Sequence, residues 1–452
     1  MNEKKISNIS ITLTIFLFSL IILFEYSDQN MLNPLLNTLL FEFFHDINNV
    51  TPLGWVNFTF TILSAISMII AGILADITTR KKICFTAAIL YSIFSILTFF
   101  TPQDSMGYHF YFITRALNGI GIGAVIPTIF SMIGDLVTSE KRTTYFGYIT
   151  ISMLLGQMVG LSLGSSMTNS WRFAYLITGS INLILAFCLL FIKEPKRGAG
   201  EKELQNLILE GAEYRFKWKK EDLKKIWSNR SNFWLIMNFI DTFPGSIILF
   251  LIFKYMEDIH NIHEEIVNIV IIFVAVVSIF GPYLFGRLGD ILFRKNKRAK
   301  VEIALFCNIF PIIFFVIFLK LDFILPENFN ISQISSNPYL ILTILMISVA
   351  MFINQGVGPN WYSSLTDINL PEHRGTMVSF ASFTDLIGRS LGPLIASFIA
   401  TIFGITYAMW SSVIFWIINV FFWIPVFFNI EKDLDNVHII LEQRAKELSN
   451  LK

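Results

Sequence analysis

A ten-residue pattern occurs twice in the sequence, as Gly72-Ile-Leu-Ala-Asp76-Ile-Thr-Thr-Arg80-Lys81 and, 214 positions later, as Gly286-Arg-Leu-Gly-Asp290-Ile-Leu-Phe-Arg294-Lys295. A second motif, an aspartate followed seven positions later by an arginine, is also present twice, as Asp135 with Arg142 and as Asp367 with Arg374. One such match could arise by chance. Two matched pairs at fixed spacing indicate a duplicated structural unit.

Long apolar runs surround these motifs along the whole chain. Each approaches the length of about 20 residues that a helix needs to cross a bilayer. Twelve such runs lie near 9–40, 53–75, 83–101, 108–134, 143–167, 171–192, 231–254, 264–289, 301–320, 338–363, 375–401 and 405–428. We therefore predict an all-α polytopic membrane protein with two pseudo-symmetric six-helix bundles. Its expected parts are an N-terminal bundle (1–192), an amphipathic linker (193–230), a C-terminal bundle (231–428) and an amphipathic tail (429–452).

Composition and charge agree with this prediction. Of the 452 residues, 54% are hydrophobic and 15% are charged, whereas an ordinary soluble domain is about 25% charged. The formal net charge of +1 offers no basic excess for nucleic acid. These values exclude a soluble enzyme, a nucleic-acid-binding protein and a disordered scaffold. The three cysteines lack metal-ligand spacing, and we expect no metal and no cofactor.

The distribution of basic residues predicts the orientation. Only Arg172, Lys254 and Lys320 of the 34 basic residues fall in the loops on one side of the predicted spans. Because cytoplasmic loops collect lysine and arginine, we expect the linker and both termini to be cytoplasmic. The predicted location is the cell membrane.

The repeated motifs lie at the cytoplasmic ends of the spans. A carboxylate there can cap a neighbouring helix or pair with a basic residue of the other half, and so hold one conformation closed. We therefore assign a gating role, in preference to substrate binding, to the following residues: Gly72, Asp76, Arg80, Lys81, Asp135, Arg142, Gly286, Asp290, Arg294, Lys295, Asp367 and Arg374.

Twelve spans in two halves that share these motifs resemble the major facilitator superfamily. That resemblance implies a secondary transporter that works by alternating access. Tyr26-Ser-Asp28, Thr114-Arg115 and Lys193-Glu-Pro-Lys-Arg-Gly-Ala further resemble spinster-type lipid transporters. In that family, an arginine follows the aspartate of the first span and a glutamate follows the glycines of the fourth. Gln29 and Ile122 stand at those positions here, which puts the proton coupling associated with the family in doubt.

Charged side chains inside the predicted spans are functional candidates, since each costs about 2.5–3.5 kcal/mol at the bilayer centre on insertion scales. Glu25 and Asp28 share one helical face and predict proton coupling, or alternatively a solvated pair near an outer opening. Arg115, with Asn118 beside it, is expected to bind an anionic headgroup or to neutralise Asp28. Asp241 is assigned to the cavity or to a structural pair.

Two further groups of polar residues lie in the predicted C-terminal bundle. Asp385 and Arg389 are four positions apart, so they either pair with each other or face the cavity, Asp385 for proton coupling and Arg389 for substrate. Asn354 and Gln355 lie near the middle of a span, where they could donate hydrogen bonds to a substrate.

We therefore predict a monomeric transporter in the lipid bilayer that moves an amphiphilic or lipid-like molecule such as a lysophospholipid, with protons as the candidate coupling ion. The alternative is a carrier or exporter of polar metabolites, organic anions, sugars or drugs, because one fold serves all of these substrates. A channel or receptor is the third reading. The sequence contains no nucleotide-binding Gly-x4-Gly-Lys-Ser/Thr and no hydrolase motif, so an enzyme is not expected.

Overall fold

The computed structural model describes residues 2–45, 51–103, 105–210, 212–216, 219, 221–326 and 329–450. Within these ranges the regular structure is entirely helical. Twelve helical stretches of the described chain are long and apolar enough to cross a membrane. The predicted all-α fold with twelve candidate spans is therefore confirmed.

The first six spans comprise seven helices. They are α1 (Asn2–Asn30), α2 (Leu32–Phe44), α3 (Thr51–Ile77), α4 (Arg80–Thr98), α5 (Ser105–Leu136), α6 (Ser139–Ser166) and α7 (Trp171–Cys188). The first span contains both α1 and α2, which meet at Met31. Two short linker helices follow, α8 (Lys202–Leu209) and α9 (Asp222–Ser228).

The remaining spans comprise nine helices, because three of these spans are interrupted. They are α10 (Arg230–Met237), α11 (Thr242–His260), α12 (Glu264–Ser278), α13 (Phe280–Phe293), α14 (Ala299–Leu319), α15 (Pro338–Asn354), α16 (Val357–Asp367), α17 (Arg374–Phe403) and α18 (Ile405–Asn450). One turn of 3₁₀ helix, Asn238–Asp241, connects α10 to α11.

Prolines account for the interruptions. Pro34, Pro244, Pro282 and Pro359 each occupy the third position of the helix that follows a break, in α2, α11, α13 and α16. Proline has no amide hydrogen and clashes with the carbonyl one turn before it, but the first turn of a helix tolerates it. The preceding helix therefore ends and a new one begins within the same span. Interrupted spans of this kind are tolerated in transporters where they line a cavity.

The two halves pack most closely at the end that carries the repeated motifs, which we call the motif end. There α3 lies against α17, and α6 lies against α13 and α16. One apolar core at this end includes side chains of both halves, for example Phe130 and Met377. Elsewhere each half has a core of its own. The halves are thus joined at the motif end.

The linker and the tail also meet at the motif end. Helix α18 runs without interruption from the twelfth span into the predicted tail, across the expected boundary at residue 429. Its apolar stripe, with Val437 and Leu441, packs on Leu204 and Ile208 of α8. The tail is therefore a continuation of a span rather than a separate helix.

Candidate functional site

Asp28 and Arg115 form an enclosed ion pair inside the first half. The Nη1 atom of Arg115 lies 2.5 Å from Oδ1 of Asp28, and Ser95 also donates to the aspartate. The side chain of Arg115 is 4% exposed, and its guanidinium lies 5.2 Å and 4.9 Å from the ring centroids of Phe60 and Tyr175. Of the two roles predicted for Arg115, this geometry agrees with neutralisation of Asp28.

Glu25 lies one turn before Asp28 and is completely buried. Neither of its carboxyl oxygens has a hydrogen-bond partner in the described part of the chain. Asn118 is also buried and donates to the carbonyl of Tyr91 at 3.1 Å. A charged carboxylate without partners is costly in an apolar interior.

In the second half, Asp241 is part of a chain of side-chain hydrogen bonds. The amide of Asn419 donates to Asp241 Oδ1 at 3.0 Å and to Asn308 Oδ1 at 2.7 Å. Asp241 ends the 3₁₀ turn that interrupts the seventh span. Sequence reasoning missed Asn308 and Asn419, although isolated asparagines in otherwise apolar spans were an available signal.

Asp385 and Arg389 pair with each other at 2.9 Å, as one of the two predictions had it. The side chain of Arg389 nevertheless remains 56% exposed. Tyr26 of α1 and Tyr362 of α16 both interact electrostatically with this pair. The accessible cation of this pair therefore interacts electrostatically with tyrosines of both halves. Asn354 and Gln355 lie half-buried where α15 ends before α16.

An aromatic layer connects the two halves near this group. The ring centroids of Phe130 and Tyr362 are 4.3 Å apart, and Tyr148 stacks on Tyr283 at 5.8 Å. Tyr362 lies five positions before Asp367 on α16, about 7.5 Å along the helix axis. The aromatic layer thus separates the Asp385–Arg389 pair from the motif end.

At the motif end, the two motif aspartates bind helix amides of the opposite half. Asp76 accepts hydrogen bonds from the backbone of Gly375 at 2.9 Å and of Thr376 at 2.6 Å, at the start of α17. Asp290 accepts from the backbone of Thr143 at 3.2 Å and of Thr144 at 2.7 Å, near the start of α6. Each carboxylate is favoured by the positive end of the helix it contacts.

Ion pairs between the halves lie beside these contacts. Arg142 pairs with Asp367, and Arg374 donates to Asp135 at 2.9 Å. Arg80 pairs with Asp135 within the first half. The linker residue Glu201, which sequence reasoning missed, binds Arg142 at 2.9 Å and also pairs with Arg374. Basic and acidic groups from three parts of the chain are therefore neutralised together.

The second copy of the ten-residue pattern departs from the first. Arg294 and Lys295 are exposed, and Lys300 instead donates to Asp367 at 2.5 Å. Lys81 donates to the carbonyls of Leu190 and Ile192, both at 2.8 Å, at the end of the sixth span. The structure therefore brings neither Lys81 nor the Arg294–Lys295 pair into the contacts between the halves.

The motif glycines permit close approach. A methyl group on Gly72 would lie 2.6 Å from the carbonyl oxygen of Gly375, and one on Gly286 would lie 3.0 Å from that of Thr143. Side chains at these two positions would push α3 away from α17 and α13 away from α6.

A family model described as Major Facilitator Superfamily matches residues 18–353. The sequence is 28% identical over 226 residues to protein spinster of Drosophila melanogaster, which covers 49% of this chain and 34% of that protein. It is 31% identical over 140 residues to the sphingosine-1-phosphate transporter SPNS2 of Danio rerio, 29% of this chain and 27% of that one. The chain thus spans about a third or less of these relatives' length.

The fold is similar to that of solved transporters. The crystal structure of FucP, a transporter of the same superfamily in the outward conformation, superimposes with a TM-score of 0.70 and 14% sequence identity. The match covers 92% of this chain and 98% of FucP.

Proposed function

The chain belongs to the Major Facilitator Superfamily, and on that premise we propose that this multi-pass membrane transporter moves an amphiphilic or lipid-like molecule, such as a lysophospholipid, by alternating access. The observation that carries the proposal is the exposed side chain of Arg389, which interacts electrostatically with Tyr26 and Tyr362. A guanidinium fork donates two parallel hydrogen bonds to a phosphate or carboxylate. The adjacent aromatic layer offers an apolar surface for the rest of an amphiphile.

Two further observations support a lipid-like substrate. The relative from Danio rerio is a sphingosine-1-phosphate transporter. The other membrane-embedded arginine, Arg115, is already neutralised by Asp28 and is 4% exposed. A substrate anion would therefore meet Arg389 first. In this proposal the anionic group of the substrate displaces the Asp385 carboxylate from the guanidinium of Arg389. Asp385 remains close by.

Proton coupling is the second part of the proposal, with Glu25 as the group that carries the proton. Its burial without hydrogen-bond partners favours the neutral acid when the motif end is closed. Glu25 and Asp28 share one face of α1. Because Arg115 and Ser95 both bind the Asp28 carboxylate, we assign the exchange of a proton to Glu25. Asp241 and Asp385 are assigned to the cavity of the second half.

The motif end is assigned to the cytoplasm, with both chain termini inside and the protein in the cell membrane as a monomer. The even number of candidate spans in the described residues supports a position of both termini on the same side. The excess of lysine and arginine in the loops on the side of the motif end supports the cytoplasm for that side.

A carrier or exporter of polar solutes, including metabolites, organic anions, sugars or drugs, is the second candidate. It is favoured by the hydrogen-bond chain of Asp241, Asn419 and Asn308. Asn354 and Gln355 are half-buried at a helix break of the same half. Such groups suit hydroxylated solutes better than acyl chains.

The test is transport by the purified protein in liposomes that contain a trapped pH-sensitive dye, with lysophospholipids, organic anions and sugars as candidate substrates. We expect lysophospholipid-dependent proton movement that Arg389→Gln abolishes. The matched control is Arg172→Gln, because Arg172 pairs with Glu42 away from the candidate site. Transport of polar solutes alone would replace the first proposal by the second.

A further inference from the structure

Glu201 lies outside both bundles, yet it binds an arginine from each of them. Its Oε1 atom accepts a hydrogen bond from Nη2 of Arg142 at 2.9 Å and another from Nη2 of Arg374. The Glu201 side chain is 7% exposed, and the two arginine side chains are completely buried. One oxygen atom of the linker therefore lies between the two halves.

The backbone around Glu201 is fitted closely to the first half. The amide of Gly198 donates to Asp135 Oδ1 at 3.0 Å. A methyl group on Gly200 would lie 2.5 Å from the carbonyl oxygen of Gly134. The linker is thus held against the last turn of α5, and this contact determines where the Glu201 carboxylate can reach.

The residues after Glu201 contact the second half. Helix α8 begins at Lys202, and its Leu204 and Ile208 pack against Leu370 and the apolar stripe of α18. The linker therefore bridges the halves by a buried ion pair and by an adjacent apolar contact. The ion-pair contact cannot persist unchanged when the motif ends of the halves separate, because a single oxygen cannot remain bound to two separating arginines.

We propose that Glu201 determines the conformational equilibrium of the transporter by holding Arg142 and Arg374 together, so that the motif end opens only when the linker carboxylate releases one arginine. This inference rests on the alternating access of the proposed function, and it adds the linker as a third element of the gate. Glu201 acts through the two arginines and is a positioning residue for the gate, with no contact to substrate required.

Electrostatics support the stability of this contact. Burial would raise the pKa of the Glu201 carboxyl, but the guanidinium groups of Arg374 and Arg142 outweigh burial and lower the pKa to about 2. The carboxylate therefore stays charged at any physiological pH. Charge-assisted hydrogen bonds of this kind are stronger than neutral ones.

The test measures the distance between spin labels at Thr78→Cys and Arg294→Cys, two exposed positions at the motif ends of opposite halves. Cys84 and Cys307 are buried and would not react, so Cys188→Ser suffices as background. We expect Glu201→Gln to raise the ratio of separated to joined motif ends at least about tenfold, equivalent to about 1.4 kcal/mol. The matched control is Glu194→Gln, because Glu194 binds Arg80 of the first half only.

Two further variants keep the result interpretable. Glu201→Asp retains the charge with a shorter reach and should give an intermediate ratio. Glu201→Gln should change the ratio less in an Arg374→Gln background than in the wild-type background. The reason is that both substitutions remove the same interaction. An unchanged distance distribution in well-folded Glu201→Gln, or an equal shift in Glu194→Gln, would overturn the inference.

The distance measurement needs no substrate. The role of Glu201 can therefore be contradicted independently of the proposed function. If Glu201→Gln shifts the distances while no lipid is transported, the substrate assignment is wrong and the role of Glu201 stands. If lysophospholipid is transported and the distances do not respond to Glu201→Gln, the role of Glu201 is wrong and the substrate assignment stands.

Discussion

Arg142 of the first half pairs with Asp367 of the second half, at the interface between the two bundles. In the equivalent pair, Arg374 belongs to the second half and Asp135 to the first half. Each repeat therefore supplies an arginine to the other repeat and receives one in return. This exchange requires the motif ends to be together, so the ion pairs belong to a single conformation of the protein.

The buried ion pairs of Asp367 should contribute more to the stability of the protein than an exposed ion pair nearby. Asp367→Asn leaves Arg142 and Lys300 without the carboxylate that both contact. Arg142 keeps its contact with Glu201, so we expect the free energy of unfolding to fall by about 1.5–3 kcal/mol, the loss typical of a hydrogen bond to a charged group. Glu140→Gln removes an exposed pair with Lys202 and should cost less than about 1 kcal/mol. Urea unfolding in detergent measures both, and equal losses would contradict the prediction.

Close approach at Gly72 gives a second prediction. In Gly72→Ala the new methyl group would meet the carbonyl oxygen of Gly375 at 2.6 Å, so α3 and α17 must separate. We expect a larger fraction of molecules with separated motif ends and slower transport. Gly54→Ala is the control, because a methyl group there meets nothing within 4 Å. The prediction does not hold if the two alanine variants transport at the same rate.

Glu25 and Asp28 should respond differently to loss of charge. Glu25→Gln removes a group with no hydrogen-bond partner among the described residues, so we expect folding to be retained and proton-driven uptake to be lost. Asp28→Asn leaves Arg115 buried without its partner, which should destabilise the protein by about 3–5 kcal/mol. Thermal unfolding and dye-based proton flux distinguish the two effects. Unimpaired proton-driven uptake in Glu25→Gln would exclude Glu25 as the proton carrier.

The Glu201 contact should be insensitive to pH in the working range. The folded-state pKa of about 2 lies below the ordinary 4.5 of a glutamate. Its stabilising contribution is thus fully present above the ordinary value and is lost as the pH falls towards 2. We expect the difference in label distance between the wild type and Glu201→Gln, with labels at Thr78 and Arg294, to stay constant between about pH 5 and pH 8. A difference that varies within that range would contradict the charged state assigned to Glu201.

The helical architecture and the positions of the motif aspartates could be predicted from the sequence, because apolar run length and repeat spacing are local properties of the chain. Partner choice is not local. Lys300 contacts Asp367 in place of Arg294. The reason is that α13 ends at Phe293, so Arg294 lies in a turn at the surface, whereas Lys300 lies in the first turn of α14 in the interior. The repeat spacing gave no indication of this exchange.

The candidate site shows the same limit. Asp385 and Arg389 share one helix face, so the sequence predicts either their pairing, which is present, or a position facing the cavity. Tyr26 and Tyr362 come from different halves, and their approach to that pair depends on how the halves pack. Glu201 was missed because a glutamate in a polar linker is ordinary, and its role becomes visible only when two distant arginines converge on it.

The proline breaks make the two halves mechanically unequal. In the second half, Asp290 lies on α13 and Asp367 ends α16, two short segments that begin just after breaks. In the first half, Asp76 lies on α3, which has no proline beyond its first turn, and Asp135 lies on α5, whose helix continues through Pro127. A segment after a break can tilt without breaking further backbone hydrogen bonds, and Pro127 weakens α5 at one point, whereas α3 moves as a whole. The motif end of the second half is therefore the more easily bent of the two.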